Sequence, residues 1–429
     1  MYLTQKLASQ ALGQVLAGRT LTDALAAIWQ GQPDLRPQQR GAIQDLCYGS
    51  LRHLGLLEHV LGQLLRKPLF EDELRMLLLV SLYQLHFTRA APYSVVDHAV
   101  KVATHVGSGG GKGLVNAILR NFLRSKDTLL GNANRTERGL WSHPQWWINA
   151  LRDAYPKRWQ AILSASNLHP PLTLRVNRRR ETVDNYLKRL AEAGIAASPL
   201  GEAAINIHRP IGIDQLPGFL DGDVSVQDWG AQRAALLLDV KDGLRVLDAC
   251  AAPGGKTGHI LELADVALTA IDSDAKRLSR VHDNLKRLQL SATLVAGDAS
   301  NPALWWDGTP FDRVLADVPC SATGVVRRNP DIKWLRRPED FVGYSRQQAE
   351  MIDALWALVA PGGKLLYATC SIFPAENAEQ ATAFAARHAD AQRLPLPGGL
   401  PDDGQLLPTP EHDGFFYALF EKITAQPAG

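Results

Sequence analysis

Two cysteines follow short apolar runs in the manner of site residues. Arg313-Val314-Leu315-Ala316 leads into Asp317-Val318-Pro319-Cys320, and Lys364-Leu365-Leu366-Tyr367 into Ala368-Thr369-Cys370-Ser371. Each run reads as a buried strand. In an open α/β sheet the carboxyl ends of the strands form the site. Two thiols at such ends point to covalent chemistry, because cysteine is both a nucleophile and a competent leaving group. Free cysteine is also among the most buried residue types, so for either thiol alone packing is an equally good account. The neighbouring residues decide.

A third strand, Leu244-Arg245-Val246-Leu247-Asp248, runs into Cys250-Ala251-Ala252-Pro253-Gly254-Gly255-Lys256-Thr257. Small residues and glycines admit a ligand to the backbone, and the helix that follows offers free N–H groups. A phosphate loop would need glycine five positions before Gly255, where Cys250 stands, and the dinucleotide fingerprint is absent because Gly254 and Gly255 are adjacent. ATP and NAD are therefore disfavoured. Val266 to Ile271 ends in Asp272, placed to accept from ribose hydroxyls. Ala292 to Gly297 ends in Asp298, which could reach an adenine amino group. Together these suit S-adenosylmethionine, with Cys250 to Lys256, Asp272, Asp298 and Asp317 as its candidate contacts. Asp272 has a second reading as the N-cap of a helix from Ala275 to Leu288.

The elements that position these residues lie late in the chain. From about residue 231, strand and helix alternate as in a doubly wound parallel sheet. Residues 1 to about 130 carry apolar positions at helical spacing, as in Leu7, Ala8, Ala11, Leu12 and Val15, and read as an all-helical bundle. Thr128 to Gly139 reads as a linker, followed by a tryptophan-rich helical piece. Leu172 to Asn177, Thr182 to Ala193 and Ala204 to Ile207 make a small α+β module. The expected domains are 1–140, 141–230 and 231–425.

The chain has 429 residues, 46% of them hydrophobic, enough for several cores. Its net charge of +2 does not announce nucleic-acid binding, which must come from local patches. Three patches stand out. They are Lys112, Arg120, Arg124 and Lys126 after the glycine-rich segment 107–113; Arg175, Arg178, Arg179 and Arg180; and Arg327, Arg328, Lys333, Arg336 and Arg337 around Trp334. The last interleaves cations with an aromatic, as single-stranded RNA sites do. Four cysteines without close pairing make no disulfide framework, and no Cys/His spacing suits zinc, so no metal is expected. No signal peptide and no membrane-spanning run is evident, which leads to the expectation of a cytoplasmic protein. Cys47 reads as structural.

Asp-Ala-Cys-Ala-Ala-Pro-Gly-Gly-Lys-Thr, Asp-Val-Pro-Cys-Ser-Ala-Thr-Gly, Arg-Arg-Asn-Pro-Asp-Ile-Lys-Trp and Tyr-Ala-Thr-Cys-Ser resemble RNA cytosine-5 methyltransferases of the Nol1/Nop2/Sun family. Val226-Gln227-Asp228 and Asp413-Gly414-Phe415-Phe416-Tyr417 extend the match. The helical N-terminus, with Gly113 to Arg120, resembles the RNA-binding factor NusB. The pairing implies 16S ribosomal RNA as substrate, unassembled or early in assembly, and a monomeric enzyme; another RNA such as tRNA is the alternative. The fold it implies is a NusB-like all-α bundle, a small α+β module and a Rossmann-like class I methyltransferase domain. Two departures are Val318, where alanine is commoner and added bulk could crowd a base, and Trp229, where a small residue is usual.

The resemblance implies that Cys370 attacks carbon 6 of cytosine and that Cys320 serves product release, with Asp317 hydrogen-bonding the base. DNA enzymes of related chemistry attack with the Pro-Cys thiol, so spacing leaves a swapped assignment open. Two rival functions also stand. Methylation of an exocyclic nitrogen needs no thiol, and an RNA-binding module with a degenerate domain needs neither thiols nor an intact glycine loop.

Overall fold

The computed structural model describes residues 1–106, 110–397 and 400–423. The chain forms two compact units. One comprises Met1–His169 with Val326–Pro338, the other Pro170–Val325 with the chain from Glu339 onward.

The first unit is helical. The helix Asp72–Phe87 is covered on nearly every side from Met76 to Leu85, as its all-round apolar sequence requires. Around it pack the helices Tyr2–Leu16, Pro37–Arg52, Leu54–Leu64, Pro92–Ala103 and Lys112–Ala133. Thr20 starts the helix Leu21–Gly31 by accepting from the Asp23 N–H. The expected linker at 128–139 is absent. The helix continues to Ala133 through a non-helical Ser125, and Thr136 caps another at Glu137–Trp141. Leu129 and Ala133 supply the apolar face that holds this extension down. The glycine-rich segment lies partly outside the described residues. Among the described residues no helix is long and apolar enough to cross a membrane.

The second unit holds two sheets. The smaller is antiparallel, from β1 (Leu172–Val176), β2 (Ala197–Pro199), β3 (Ala204–Ile207) and β4 (Val224–Val226), in the order β2-β3-β1-β4. The larger is mixed. It runs through β5 (Arg245–Ala249), β6 (Ala267–Asp272), β7 (Thr293–Ala296), β8 (Phe311–Asp317), β9 (Val359–Thr369), β10 (Ala391–Leu394), β11 (Gln405–Leu406) and β12 (Phe415–Lys422). Its order is β10-β12-β9-β8-β5-β6-β7, with β11 on β12. Strands β5 to β9 are parallel, whereas β12 runs antiparallel to β9. The chain builds β5-β6-β7 in one direction, then returns to the other side of β5 with β8 and β9. That reversal opens a crevice at the carboxyl ends of β5 and β8, where the glycine loop and Asp317 lie.

Candidate active site

The cofactor-type loop begins where β5 ends. Cys250 adopts φ 64°, and Gly254 adopts φ 95° with Val281 only 3.1 Å from where a Cβ would stand. Positive φ and close approach together call for glycine at 254. The helix Gly255–Leu263 then starts with its N-terminus at the loop. Asp248 is 1% exposed. Its Oδ2 accepts from Thr257 Oγ1 at 2.6 Å, while Oδ1 is buried with no hydrogen-bond partner. Burial pushes this carboxyl up to about 7, against the pull of the Thr257 hydrogen bond. A glycine-lined backbone and a helix N-terminus suit a polar ligand that carries an anionic group.

Asp272, at the end of β6, holds the loop from the other side. Its Oδ2 accepts from Ala252 N at 3.1 Å and its Oδ1 from Asp274 N at 3.0 Å. The helix after it is capped by Asp274, which accepts from Lys276 N and Arg277 N, so the N-cap role belongs to Asp274 and not Asp272. Asp298, beyond β7, is exposed, and its Oδ1 accepts from Ser300 N and Oγ. Ala251, Ala252 and Pro253 line the turn between these acids.

The thiols come next. Strands β8 and β9 are neighbours, with Asp317 opposite Ala368. Just past them the Cys320 and Cys370 sulfurs stand 3.4 Å apart. The Cys370 sulfur as hydrogen-bond partner, then burial, raise the Cys320 pKa well above the ordinary thiol range. Asp317 Oδ2 accepts from Lys256 Nζ at 2.5 Å, which joins the cofactor loop to the strand that leads to Cys320. Burial works against the Lys256 charge, but Asp317 outweighs it and the ammonium is stabilised. Cys250 faces the Met351 sulfur at 3.7 Å, and burial raises its pKa. Cys47 is fully buried in the helical unit.

Behind the thiols lies a network that the sequence did not announce. Ser321, Thr323, Ser371 and Glu376 are all 0% exposed. Glu376 accepts from Ser321 N at 2.8 Å, from Ser371 Oγ at 2.6 Å and from Ser321 Oγ. Thr323 Oγ1 accepts from Ile372 N at 3.0 Å. Gly324 N donates to Cys370 O at 2.8 Å, and Gly414 N donates to Gly324 O at 2.9 Å. The one available signal was that serine follows cysteine in both motifs. The outlying motifs meet too, since Asp413 N donates to the Asp228 carboxylate at 3.2 Å.

Three expectations need correction. Arg175 does not offer itself to RNA. It is 0% exposed and binds Glu262 twice, at 2.7 and 2.8 Å, with Gln227 Oε1 and Gly255 O as further acceptors. It fastens β1 to the cofactor helix. Arg178, Arg179 and Arg180 stay exposed, paired at the surface with Glu202, Asp265 and Gln289. Lys333 is not a surface cation either. It is buried in the helical unit, donating to Arg52 O, Ser142 O and Asn167 Oδ1 at 2.8 to 2.9 Å, while Trp334 Nε1 donates to Leu51 O. Within the segment Val326–Pro338, Arg327 and Lys333 are therefore buried, Arg328, Trp334 and Arg336 are partly buried, and Arg337 is exposed. Val318 does not crowd a base pocket: it is 3% exposed and belongs to the hydrophobic core with Val314, Ala316 and Met351.

Comparison with known proteins places the chain. A family model for the 16S rRNA methyltransferase RsmB/F matches residues 235–421, one for an RsmF/B-like ferredoxin-like domain matches 143–214, and one for the NusB family matches 3–124. The ribosomal RNA small subunit methyltransferase B of Serratia proteamaculans is 46% identical over 98% of this chain and 99% of its own length. That of Pseudomonas putida is 46% identical over 97% of this chain and 98% of its own. The crystal structure of PH0851 shares the fold with a TM-score of 0.78 at 24% identity, covering 98% of this chain and 99% of the other.

Proposed function

The chain belongs to the RsmB/F family of 16S rRNA methyltransferases, and on that premise we propose that it methylates carbon 5 of a cytosine through a covalent bond from Cys370 to carbon 6. S-adenosylmethionine, the family's methyl donor, supplies an electrophilic methyl group carried on a sulfonium. Cys250 to Lys256 would cradle it, and Asp272 and Asp298 would accept from its ribose and adenine. The substrate is 16S ribosomal RNA, unassembled or early in assembly.

The observation that carries the reading is the pair of sulfurs 3.4 Å apart beside Asp317. Carbon 5 of cytosine is a poor nucleophile. When the Cys370 thiolate bonds to carbon 6 and N3 takes a proton, carbon 5 becomes enamine-like and can accept the methyl group. On this reading Asp317 hydrogen-bonds the base and passes N3 a proton drawn from solvent. The proton on carbon 5 must then leave, the sulfur–carbon bond must break, and N3 gives up its proton.

Two sulfurs 3.4 Å apart do not readily ionise together. On this reading Cys320 keeps its proton, held by the neighbouring sulfur and by burial, while Cys370 attacks. Once Cys370 is bonded to carbon, its sulfur no longer opposes ionisation of Cys320. Cys320 can then shed its proton to solvent and accept the one from carbon 5. A target base inside a duplex could not reach these thiols, so it must be unpaired or flipped out.

The test is methyl transfer to 16S ribosomal RNA, with the product nucleoside identified by mass spectrometry. 5-Methylcytidine is the expected product. N4-methylcytidine, or no transfer, would overturn the reading.

A further inference from the structure

Glu376 lies in the short turn Pro374–Glu376 beyond β9, and it is 0% exposed. Burying a carboxylate costs several kcal/mol unless its oxygens are well satisfied. Here four donors surround it. Oε1 accepts from Ser321 N at 2.8 Å and Gln348 Nε2 at 3.1 Å. Oε2 accepts from Ser371 Oγ at 2.6 Å and from Ser321 Oγ. Gln348 Nε2 also donates to Pro319 O at 3.0 Å. The carboxylate thus holds the residues directly following both thiols, and through Gln348 the residue preceding one of them.

We infer that Glu376 is a positioning residue, a clamp that sets Cys320 against Cys370 at the separation that attack and release require. The inference rests on the covalent reading above. Packing alone would be met by an apolar side chain of similar volume, without the cost of burying a charge. A carboxylate has the one property an amide lacks: both oxygens accept, so while Oε2 takes the two serine hydroxyls, Oε1 takes the Ser321 N–H and Gln348 Nε2. Its charge also lies behind Cys320 and disfavours the thiolate there, alongside the larger effects of the Cys370 sulfur and burial.

The test compares full-length wild type with Glu376→Gln and Ser371→Ala. Three quantities are read: kcat on 16S ribosomal RNA, S-adenosylmethionine affinity by calorimetry, and the pH dependence of Cys320 alkylation by iodoacetamide without RNA. A displaced reacting group can cost about 100-fold in rate, and that is the expected loss of kcat in Glu376→Gln. Cofactor affinity should stay within about twofold, and the alkylation midpoint should fall by about one pH unit as a like charge is removed. Ser371→Ala should lose about tenfold or more in kcat, because it removes a hydrogen bond to a charged acceptor. Unchanged kcat with unchanged alkylation, or loss of cofactor binding in proportion to kcat, would overturn the clamp. If Glu376→Gln does not fold, Ser371→Ala decides by the same criteria. Alkylation needs no RNA, so an altered midpoint in an enzyme that never crosslinks to RNA would sink the covalent reading and leave the clamp standing.

Discussion

The sulfurs of Cys320 and Cys370 lie 3.4 Å apart although 50 residues separate them in sequence. Their meeting follows from topology. Parallel pairing of β8 with β9 places Asp317 opposite Ala368, so the two following loops emerge side by side at one edge of the crevice. At 3.4 Å the sulfurs are within hydrogen-bonding reach, and whichever ionises first makes the other harder to ionise.

Gly324 tests how closely this edge is packed. A Cβ there would lie 2.2 Å from Gly414 O and 2.9 Å from Cys370 O. Gly324→Ala must push the Cys370 backbone aside. We predict a loss of at least about tenfold in kcat, in keeping with the sensitivity of such sites to misplacement, with cofactor affinity retained. Steady-state kinetics and calorimetry check this.

Arg175 and Glu262 form an ion pair whose side chains are 0% and 2% exposed. Removing one partner of such a pair strands a buried charge, at a cost of about 3–5 kcal/mol. Arg175→Met should therefore lower the denaturation midpoint sharply, and Arg175→Met with Glu262→Leu should recover part of the loss. The salt dependence of RNA binding should not change, because Arg175 contacts no phosphate. A shallower salt slope would return Arg175 to the RNA interface.

Lys333 serves the helical unit in the same way. Its three acceptors would all be left unsatisfied in Lys333→Met. Burial lowers the Lys333 pKa well below its ordinary value, and each buried acceptor left unsatisfied costs roughly 1–3 kcal/mol, so a loss of about 3 kcal/mol or more is expected by chemical denaturation. A surface RNA contact would instead leave stability untouched and weaken RNA binding.

Asp248 gives a pH signature. Its folded pKa, about 7 through burial, lies above the ordinary carboxylate value. The folded state then binds more protons than the unfolded state between about pH 4 and 7, and stability from this group falls as pH rises through that window. Asp248→Asn removes the titration. Relative to that variant, wild type should lose stability between about pH 4 and 7 in denaturation measured across pH. A flat difference would show that the carboxyl is not raised.

The legible part of the site was whatever depends on strand ends. The glycine loop, Asp272, Asp298, Asp317 and both thiols follow apolar runs, and a parallel sheet collects such ends. What escaped was set by partners distant in sequence. Arg175 reads as one of a basic cluster, and only the fold gives it Glu262. Lys333 beside Trp334 has the composition of an RNA contact, yet backbone carbonyls of Leu51, Arg52 and Ser142 and the Asn167 side chain take up its donors and that of Trp334. Glu376 carries no local signal, because its importance comes from two serines on different loops. The helix through Ala133 was missed because polar residues from Thr128 onward hid two buried positions, Leu129 and Ala133.

The central claim is that Cys370 bonds to the base while Cys320 releases it. Its most direct measurement is denaturing electrophoresis of wild type, Cys370→Ala and Cys320→Ala after incubation with 16S ribosomal RNA and S-adenosylmethionine. The account predicts that Cys370→Ala neither methylates nor forms a covalent complex, whereas Cys320→Ala accumulates a stable protein–RNA adduct. The reverse pattern would contradict the assignment of the two thiols, and the absence of any adduct, including with wild type on 5-fluorocytosine RNA, would contradict covalent catalysis.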